Sequence, residues 1–154
     1  DLILVLGRDA DFAEAQTELR RIGLDRVAGH LDGGIAAWRA AGRGVSTLTQ
    51  LTAQELYGRL ARGETIGVLD VRGDDEWADG HVAGAVHTFA GAIAQGAAVP
   101  GTPDDGPVAV ICGSGCRSSV ASSLLQERGF ANLLNVSGGM AAWDEAGLPT
   151  AAGR

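Results

Sequence analysis

Short apolar runs punctuate the chain, and each hands over to a stretch with helical spacing. Leu2-Ile3-Leu4-Val5-Leu6 and Val108-Ala109-Val110-Ile111 read as buried strands, followed by helical stretches from Asp11 to Arg21 and from Ser118 to Arg128. Gly23 and Gly129 end those helices. Both stretches then run into a short strand, a Gly-Gly pair and a final helix. The first reads Leu31-Asp32-Gly33-Gly34-Ile35-Ala36-Ala37-Trp38 with Ala41-Gly42, the second Val136-Ser137-Gly138-Gly139-Met140-Ala141-Ala142-Trp143 with Ala146-Gly147. The chain therefore carries an internal repeat. The copies are offset by 106 at the glycine after the helix and by 105 at Gly-Gly and Trp, so the first copy holds one inserted residue.

Strand and helix alternate in each copy, which predicts α/β architecture with a parallel sheet flanked by helices. Only the second copy has an upstream partner. Thr52-Ala53-Gln54-Glu55 is a capping box opening a helix that ends near Gly63, with Leu56 and Leu60 on one face. A strand from Ile66 to Val71 follows, then a polar turn, Gly80-His81-Val82-Ala83-Gly84-Ala85-Val86, a small helix from Ala90 to Gln95 and a Gly/Pro-rich connection from Val99 to Pro107. The expected organisation is a partial unit over 1–44, a linker over 45–50, a complete domain over 51–150 and a tail over 151–154. The chain opens inside an apolar strand without Met, so we expect either missing upstream sequence or docking of this half on the complete domain or a symmetry mate.

Composition narrows the function classes. A chain of 154 residues with 45% hydrophobic and 20% charged residues is globular. A net charge of −7 leaves no electrostatic footprint for nucleic acid or an anionic bilayer. No apolar run reaches membrane-spanning length and the first residues lack the charged start of a signal peptide, so a cytoplasmic protein is expected. The two cysteines, Cys112 and Cys116, stand too close in sequence to staple distant segments, which fits a reducing compartment.

The chemistry gathers in Cys112-Gly113-Ser114-Gly115-Cys116-Arg117-Ser118, between a buried strand and a helix at the sheet edge where open α/β folds bind ligands. Backbone N–H groups of such a loop converge on an anion, the helix start adds its positive end, and Arg117 adds a charge. Such surroundings lower a thiol from about 8.5 to roughly 3.5–7.5, which makes Cys112 a nucleophile. The alternative is a small buried hydrophobe at a strand end.

These residues resemble the rhodanese (sulfurtransferase) family. The likeness covers 51–150 and rests on Asp70-Val71-Arg72, Glu76-Trp77, Gly80-His81-Val82-Ala83-Gly84-Ala85, the Cys112-x4-Arg117-Ser118 loop and Ser137-Gly138-Gly139-Met140-Ala141-Ala142-Trp143. The resemblance implies that Cys112 accepts sulfane sulfur from thiosulfate or a low-molecular-weight persulfide and yields it to cyanide or a thiol. It implies no organic cofactor and no metal. Gly113, Ser114, Gly115, Cys116 and Arg117 would supply backbone donors, Arg117 would close the loop, and Ser118 would complete it.

This chain departs from the family at Gly113, where a polar or charged side chain is common, and at Cys116, whose thiol either resolves a Cys112 persulfide or points away. Phosphatase and arsenate reductase loops are Cys-x5-Arg, one residue longer, which leaves phosphoryl transfer the weaker alternative.

Asp70, Arg72 and Glu76 read as loop support, with Arg72 paired to an acid and Asp70 at the pocket rim. His30, His81 and His87 read as structural, as do Trp38 and Trp143. Aligned on its strand, the first copy has Leu6 at the Cys112 position and Asp11 at the Arg117 position, so it is expected to be inactive. The order resembles the C-terminal part of a tandem rhodanese, or of a fusion with a metallo-β-lactamase-fold persulfide dioxygenase. The partners implied are a small sulfur donor, its acceptor and a fused or separate persulfide-handling enzyme, or else a sulfur-relay module without free turnover.

Overall fold

In the computed structural model, which describes residues 1–99 and 106–153, the chain forms two units, Asp1–Thr47 and Leu48–Arg154. The larger unit contains β3 (Thr49–Thr52), α3 (Ala53–Ala61), β4 (Gly67–Asp70), α4 (Asp74–Asp79), β5 (Val86–His87), α5 (Ala90–Ala94), β6 (Val108–Ile111), α6 (Cys116–Glu127), β7 (Leu133–Ser137) and α7 (Gly139–Glu145). Its strands form one parallel sheet in the order β3-β7-β6-β4-β5.

Both faces of that sheet are covered, which is why its central strands read as unbroken apolar runs. Val68, Ala109 and Ile111 join a core with Leu56, Met140 and Trp143. Leu69, Val108, Val110 and Cys112 alternate with them and pack with Ile93, Ala121 and Leu125 on the other face. The capping box forms as expected: Glu55 N–H donates to Thr52 Oγ1 at 3.1 Å and Thr52 N–H to Glu55 Oε2 at 2.8 Å. Such a cap is worth about 1 kcal/mol.

The structure moves several boundaries. β3 begins at Thr49, so the end of the expected linker is an edge strand. Thr-Gln-Leu-Thr has one buried apolar residue, Leu51, and its pairing is reinforced by Gln50 Oε1, which accepts from Asn135 Nδ2 at 2.8 Å and Ser137 Oγ at 3.0 Å. Those partners lie far along the chain, outside any local pattern. The expected tail begins with Ala151, which exchanges two 2.8 Å backbone hydrogen bonds with His81. α6 starts at Cys116 instead of Ser118, because Gly115 at φ +99° turns the chain into the helix two residues earlier. Most of the Val99–Pro107 connection lies outside the described residues.

The smaller unit contains β1 (Leu2–Leu4), α1 (Phe12–Arg21), β2 (Val27–His30) and α2 (Gly34–Ala40). β1 is shorter than the expected strand to Leu6, and a 3-10 turn at Asp9–Asp11 precedes α1. β1 and β2 pair in parallel, as β6 and β7 do. The registers match at Leu2↔Val27 and Val108↔Leu133 and then diverge: Ile3 faces Gly29 across an irregularity, whereas Ala109 faces Leu134 directly. Ala28 is thus the extra residue, and a bulge absorbs it. Beyond the bulge the two halves agree in detail. Trp38 Nε1 donates to Gly44 O at 2.9 Å and Trp143 Nε1 to Pro149 O at 3.1 Å. A Cβ on Gly33 would meet the Ala37 Cβ at 2.9 Å, and one on Gly138 the Ala142 Cβ at 2.6 Å. Burial differs sharply, since Ile3 and Ile22 are both 72% exposed while Val110 and Leu125 in the larger unit are fully enclosed.

Candidate active site

From β4 the chain steps outward to β5 and then returns to the other side of β4 as β6. The carboxyl ends of β4 and β6 therefore flank a topological switch point, where such sheets open a crevice. Asp70 and Ile111 are register partners there, and Cys112 is the next residue. It emerges from a strand buried at every position, so its Cα is held by the core and not by a mobile loop.

The thiol faces the inside of its own loop. Gly115 N–H points at Cys112 Sγ from 3.1 Å, and Ser118 Oγ lies 3.4 Å from the sulfur and 3.1 Å from Gly115 O. Burial by itself pushes the Cys112 thiol up, but the Ser118 hydroxyl and the backbone N–H groups of Ser118, Ser114 and Gly115 outweigh it and bring the thiol below its ordinary value. These donors favour the thiolate and would equally hold a terminal sulfur anion.

The floor of the loop is the start of α7. Met140 N–H donates to Cys112 O at 2.8 Å and Ala141 N–H to Gly113 O at 3.0 Å. The fit requires Gly139, whose added Cβ would lie 2.2 Å from Cys112 O and 2.7 Å from Gly113 C. The second Gly-Gly pair is therefore the seat of the Cys112 loop, a role its sequence does not announce.

Arg117 lies in the first turn of α6, and its guanidinium is held by Glu76. Nη1 donates to Glu76 Oε2 at 2.6 Å and Nη2 to Glu76 Oε1 at 2.7 Å, a two-pronged pair across 41 residues. Gly73 N–H also donates to Glu76 Oε2 at 3.2 Å, fixing the start of α4. The Arg117 hydrogen bonds hold the Glu76 carboxyl down at about 2, and Glu76 raises Arg117 above the ordinary guanidinium range. A Cβ on Gly113 would stand 3.0 Å from Arg117 Nη2 and 3.6 Å from Glu76 Oε1, so the ion pair lies across the bare backbone of Gly113.

Asp70 does not line a pocket rim. It is fully buried, and its carboxylate accepts from Arg72 Nε at 3.0 Å, Arg72 Nη2 at 2.7 Å and the Arg72 backbone at 3.0 Å. Its place at the end of a central strand, in register with Ile111, encloses it. Arg72 Nη2 also donates to Gly80 O at 2.6 Å, binding the β4 end to the segment after α4. Trp77 stacks on His81 at 3.5 Å and on His87 at 5.0 Å, with His81 Nδ1 3.0 Å from Trp77 O and His87 Nε2 2.8 Å from Arg72 O. In the smaller unit the His30 ring packs at a tilt against Phe12, with ring centroids 4.6 Å apart, and its Nε2 lies 3.6 Å from Asp9 Oδ1.

The structure thus brings Cys112, Ser114, Gly115 and Ser118 together around one sulfur. Gly113 is the place where the Arg117 ion pair crosses the loop. Cys116 is exposed and helps to line a cavity of about 380 Å³ with Ala90, Gly91, Ala94, Val120 and Leu124. Glu76, expected only as loop support, and Gly139 fall outside the expected site residues. Glu76 sits in a run of acids, Asp74-Asp75-Glu76, with nothing local to single it out, although a lone loop Arg calls for an acid somewhere. Gly139 is visible in the sequence only as a repeat marker. Among the described residues no helix is long and apolar enough to cross a membrane.

Comparison with known proteins agrees with this fold. The rhodanese-like domain family matches residues 52–146. A protein named sulfurtransferase from Allochromatium vinosum is 31% identical over 109 residues, which cover 68% of this chain and 96% of that protein. YrkF of Bacillus subtilis is 29% identical over 98 residues, 64% of this chain, and the chain spans about half of that relative, 52%. The crystal structure of a rhodanese-related protein from Thermoplasma volcanium superposes with a TM-score of 0.59 at 28% identity, covering 68% of this chain and 99% of that one. A thiosulfate sulfurtransferase from Pseudomonas aeruginosa shares the fold at 23% identity and a TM-score of 0.57, over 99% of this chain and 32% of its own. The family match over residues 52–146, together with the shared sheet architecture, settles the lineage: the chain belongs to the rhodanese-like domain family.

Proposed function

We propose that the larger unit is a sulfurtransferase working through Cys112. The observation that carries this reading is the thiol lowered by four hydrogen-bond donors inside a loop shaped for one sulfur anion. The Cys112 thiolate attacks the outer sulfur of a sulfane donor, thiosulfate or a low-molecular-weight persulfide. The donor's S–S bond breaks and sulfite or a thiolate leaves with the electron pair. Cys112 then carries a persulfide anion, held by the N–H groups of Ser114, Gly115 and Ser118. Attack of cyanide or a thiolate on the terminal sulfur releases thiocyanate or a new persulfide and restores the thiolate.

Residues 1–44 are half of a second unit of the same kind, without a nucleophile. The shared bulge-corrected register, the matched Trp hydrogen bonds and the glycine seat support this: a Cβ on Gly34 would lie 2.5 Å from Leu6 O, as one on Gly139 would from Cys112 O at 2.2 Å. Leu6 and Asp11 replace the nucleophile and the cation, and Asp11 is paired with Arg8 at 2.8 Å. Two free thiols and sulfur chemistry fit a reducing, cytoplasmic compartment.

Treatment with thiosulfate or an alkyl persulfide followed by intact-mass measurement tests the mechanism. The wild-type chain gains one sulfur and Cys112→Ser gains none; no adduct with any sulfane donor overturns it. Steady-state turnover with cyanide or thiols separates a free enzyme from a relay module fed by a fused or partner persulfide-handling enzyme.

A further inference from the structure

Among the described residues the charged side chains beside the Cys112 loop stand in pairs, and this bears on what the site accepts. Arg72 is buried and bound to Asp70 and Gly80 O, so it is not free to meet a substrate. Arg117 is the cation of the nucleophile loop itself, and both of its terminal nitrogens are engaged by Glu76 at 2.6 and 2.7 Å. What remains directed at the sulfur is a set of neutral dipoles, from the backbone and the Ser118 hydroxyl. Such a set suits a single terminal sulfur anion. It offers no uncompensated charge to a compact dianion, and the chain as a whole, at −7, repels one.

Gly113 leaves room for this arrangement. Any side chain there would press on Arg117 Nη2, which lies 3.0 Å from the position a Cβ would take. With glycine, the ion pair closes across the loop backbone beside the buried nucleophile. The cavity beside the loop that Arg117 and Cys116 border is walled by the apolar side chains of Ala90, Ala94, Val120 and Leu124.

We infer that Glu76 is a specificity-determining positioning residue: by holding Arg117 it biases the site against dianionic donors and toward persulfides whose body carries little charge. The inference rests on Cys112 being the sulfur-accepting residue, yet it concerns only the field that a reagent meets on the way to that thiol. Two variants move that field in opposite directions. Glu76→Gln removes the carboxylate and leaves the Arg117 charge uncompensated. Arg117→Gln leaves the Glu76 charge uncompensated.

The test is alkylation of the full chain by iodoacetate, an anion, and iodoacetamide, its neutral counterpart, with Cys112 and Cys116 resolved by peptide mass. Each reagent forms an S–C bond at the thiolate and releases iodide, so no sulfur transfer is involved. The readout is the iodoacetate-to-iodoacetamide rate ratio at Cys112. A unit charge a few ångströms from the reagent, screened near a surface, changes such a ratio by about tenfold. We expect the ratio to rise in Glu76→Gln and to fall in Arg117→Gln, and the thiosulfate KM of Glu76→Gln to fall relative to that of a persulfide donor. A merely structural role would move both reagents together and in the same sense in both variants. That result, unchanged ratios, or a Cys112 that neither reagent reaches in any of the three proteins overturns the inference. Failure of sulfur uptake with intact ratio changes would overturn the proposed activity instead.

Discussion

Gly139 supports Cys112 from below at a distance no other residue allows: a Cβ at 139 would fall 2.2 Å from the Cys112 carbonyl oxygen, at a backbone φ of +56°. Space and conformation both exclude a side chain there. Gly139→Ala should lift the nucleophile loop off α7, destabilise the unit by at least about 2 kcal/mol and slow sulfur uptake by more than about tenfold. Thermal melts and intact-mass kinetics on the same preparation check both expectations.

The lowered Cys112 thiol depends on donors that mutation can remove singly. Ser118→Ala deletes the hydroxyl but keeps the backbone N–H groups, so the thiol should shift up. Iodoacetamide alkylation of Cys112 followed against pH should then show its inflection at higher pH than in wild type. At neutral pH the variant should react more slowly, and an unmoved inflection would show the hydroxyl to be irrelevant.

Glu76 is lowered to about 2 from an ordinary 4.5, so its charge adds stability that is fully present above pH 4.5 and is lost as pH falls through about 2. Because Glu76 and Arg117 are 44% and 41% exposed, solvent screens the pair and the contribution should stay below about 1 kcal/mol. Denaturation of wild type and Glu76→Gln should differ slightly at pH 5 and converge as pH falls toward and below about 2. Added salt should shrink the difference at pH 5.

Asp70 and Arg72 form the opposite case, a pair enclosed at the end of a central strand with side-chain exposures of 0% and 8%. Asp70→Asn would leave the guanidinium charged and without its anion. A loss of about 3–5 kcal/mol is expected, read as a lower denaturation midpoint of the larger unit.

The two halves of the repeat should separate functionally. Gly34→Ala places a Cβ 2.5 Å from Leu6 O at φ +58°, and should destabilise residues 1–47 by about 1–3 kcal/mol. Sulfur uptake at Cys112 should be unchanged, and hydrogen exchange should show protection lost in the smaller unit alone. Loss of uptake would make the half unit part of the working enzyme.

Much of this protein is legible along the chain itself. The alternation of apolar runs and helical stretches, the Thr52 capping box and the 105–106 residue repeat are local signals, set by periodicities of two and 3.6 and by cap chemistry, and they place α3, β4, α5, β6 and α6 within about two residues, whereas the expected polar turn after β4 is helix α4 and β5 falls outside the expected elements. Edge strand β3 escapes them because Thr-Gln-Leu-Thr buries one apolar side chain and is held by hydrogen bonds to Asn135 and Ser137. Cys112 is legible because a thiol between a buried strand and a glycine-rich helix start has few other readings.

What the amino-acid sequence determined alone was therefore the kind of fold, the repeat and the loop that carries the proposed nucleophile. The tertiary structure decided how that nucleophile is seated and what field surrounds it. Arg117 looked like the cation of an anion cradle, yet an acid 41 residues away turns it into half of a neutral pair. Asp70 looked like rim and proved to be core. Gly139 looked like a turn marker and proved to be the floor under Cys112. Each of these depends on which chain segments meet at the ends of β4, β6 and β7. Long-range encounters of that kind are set by the sheet order as a whole, and no window along the chain contains them.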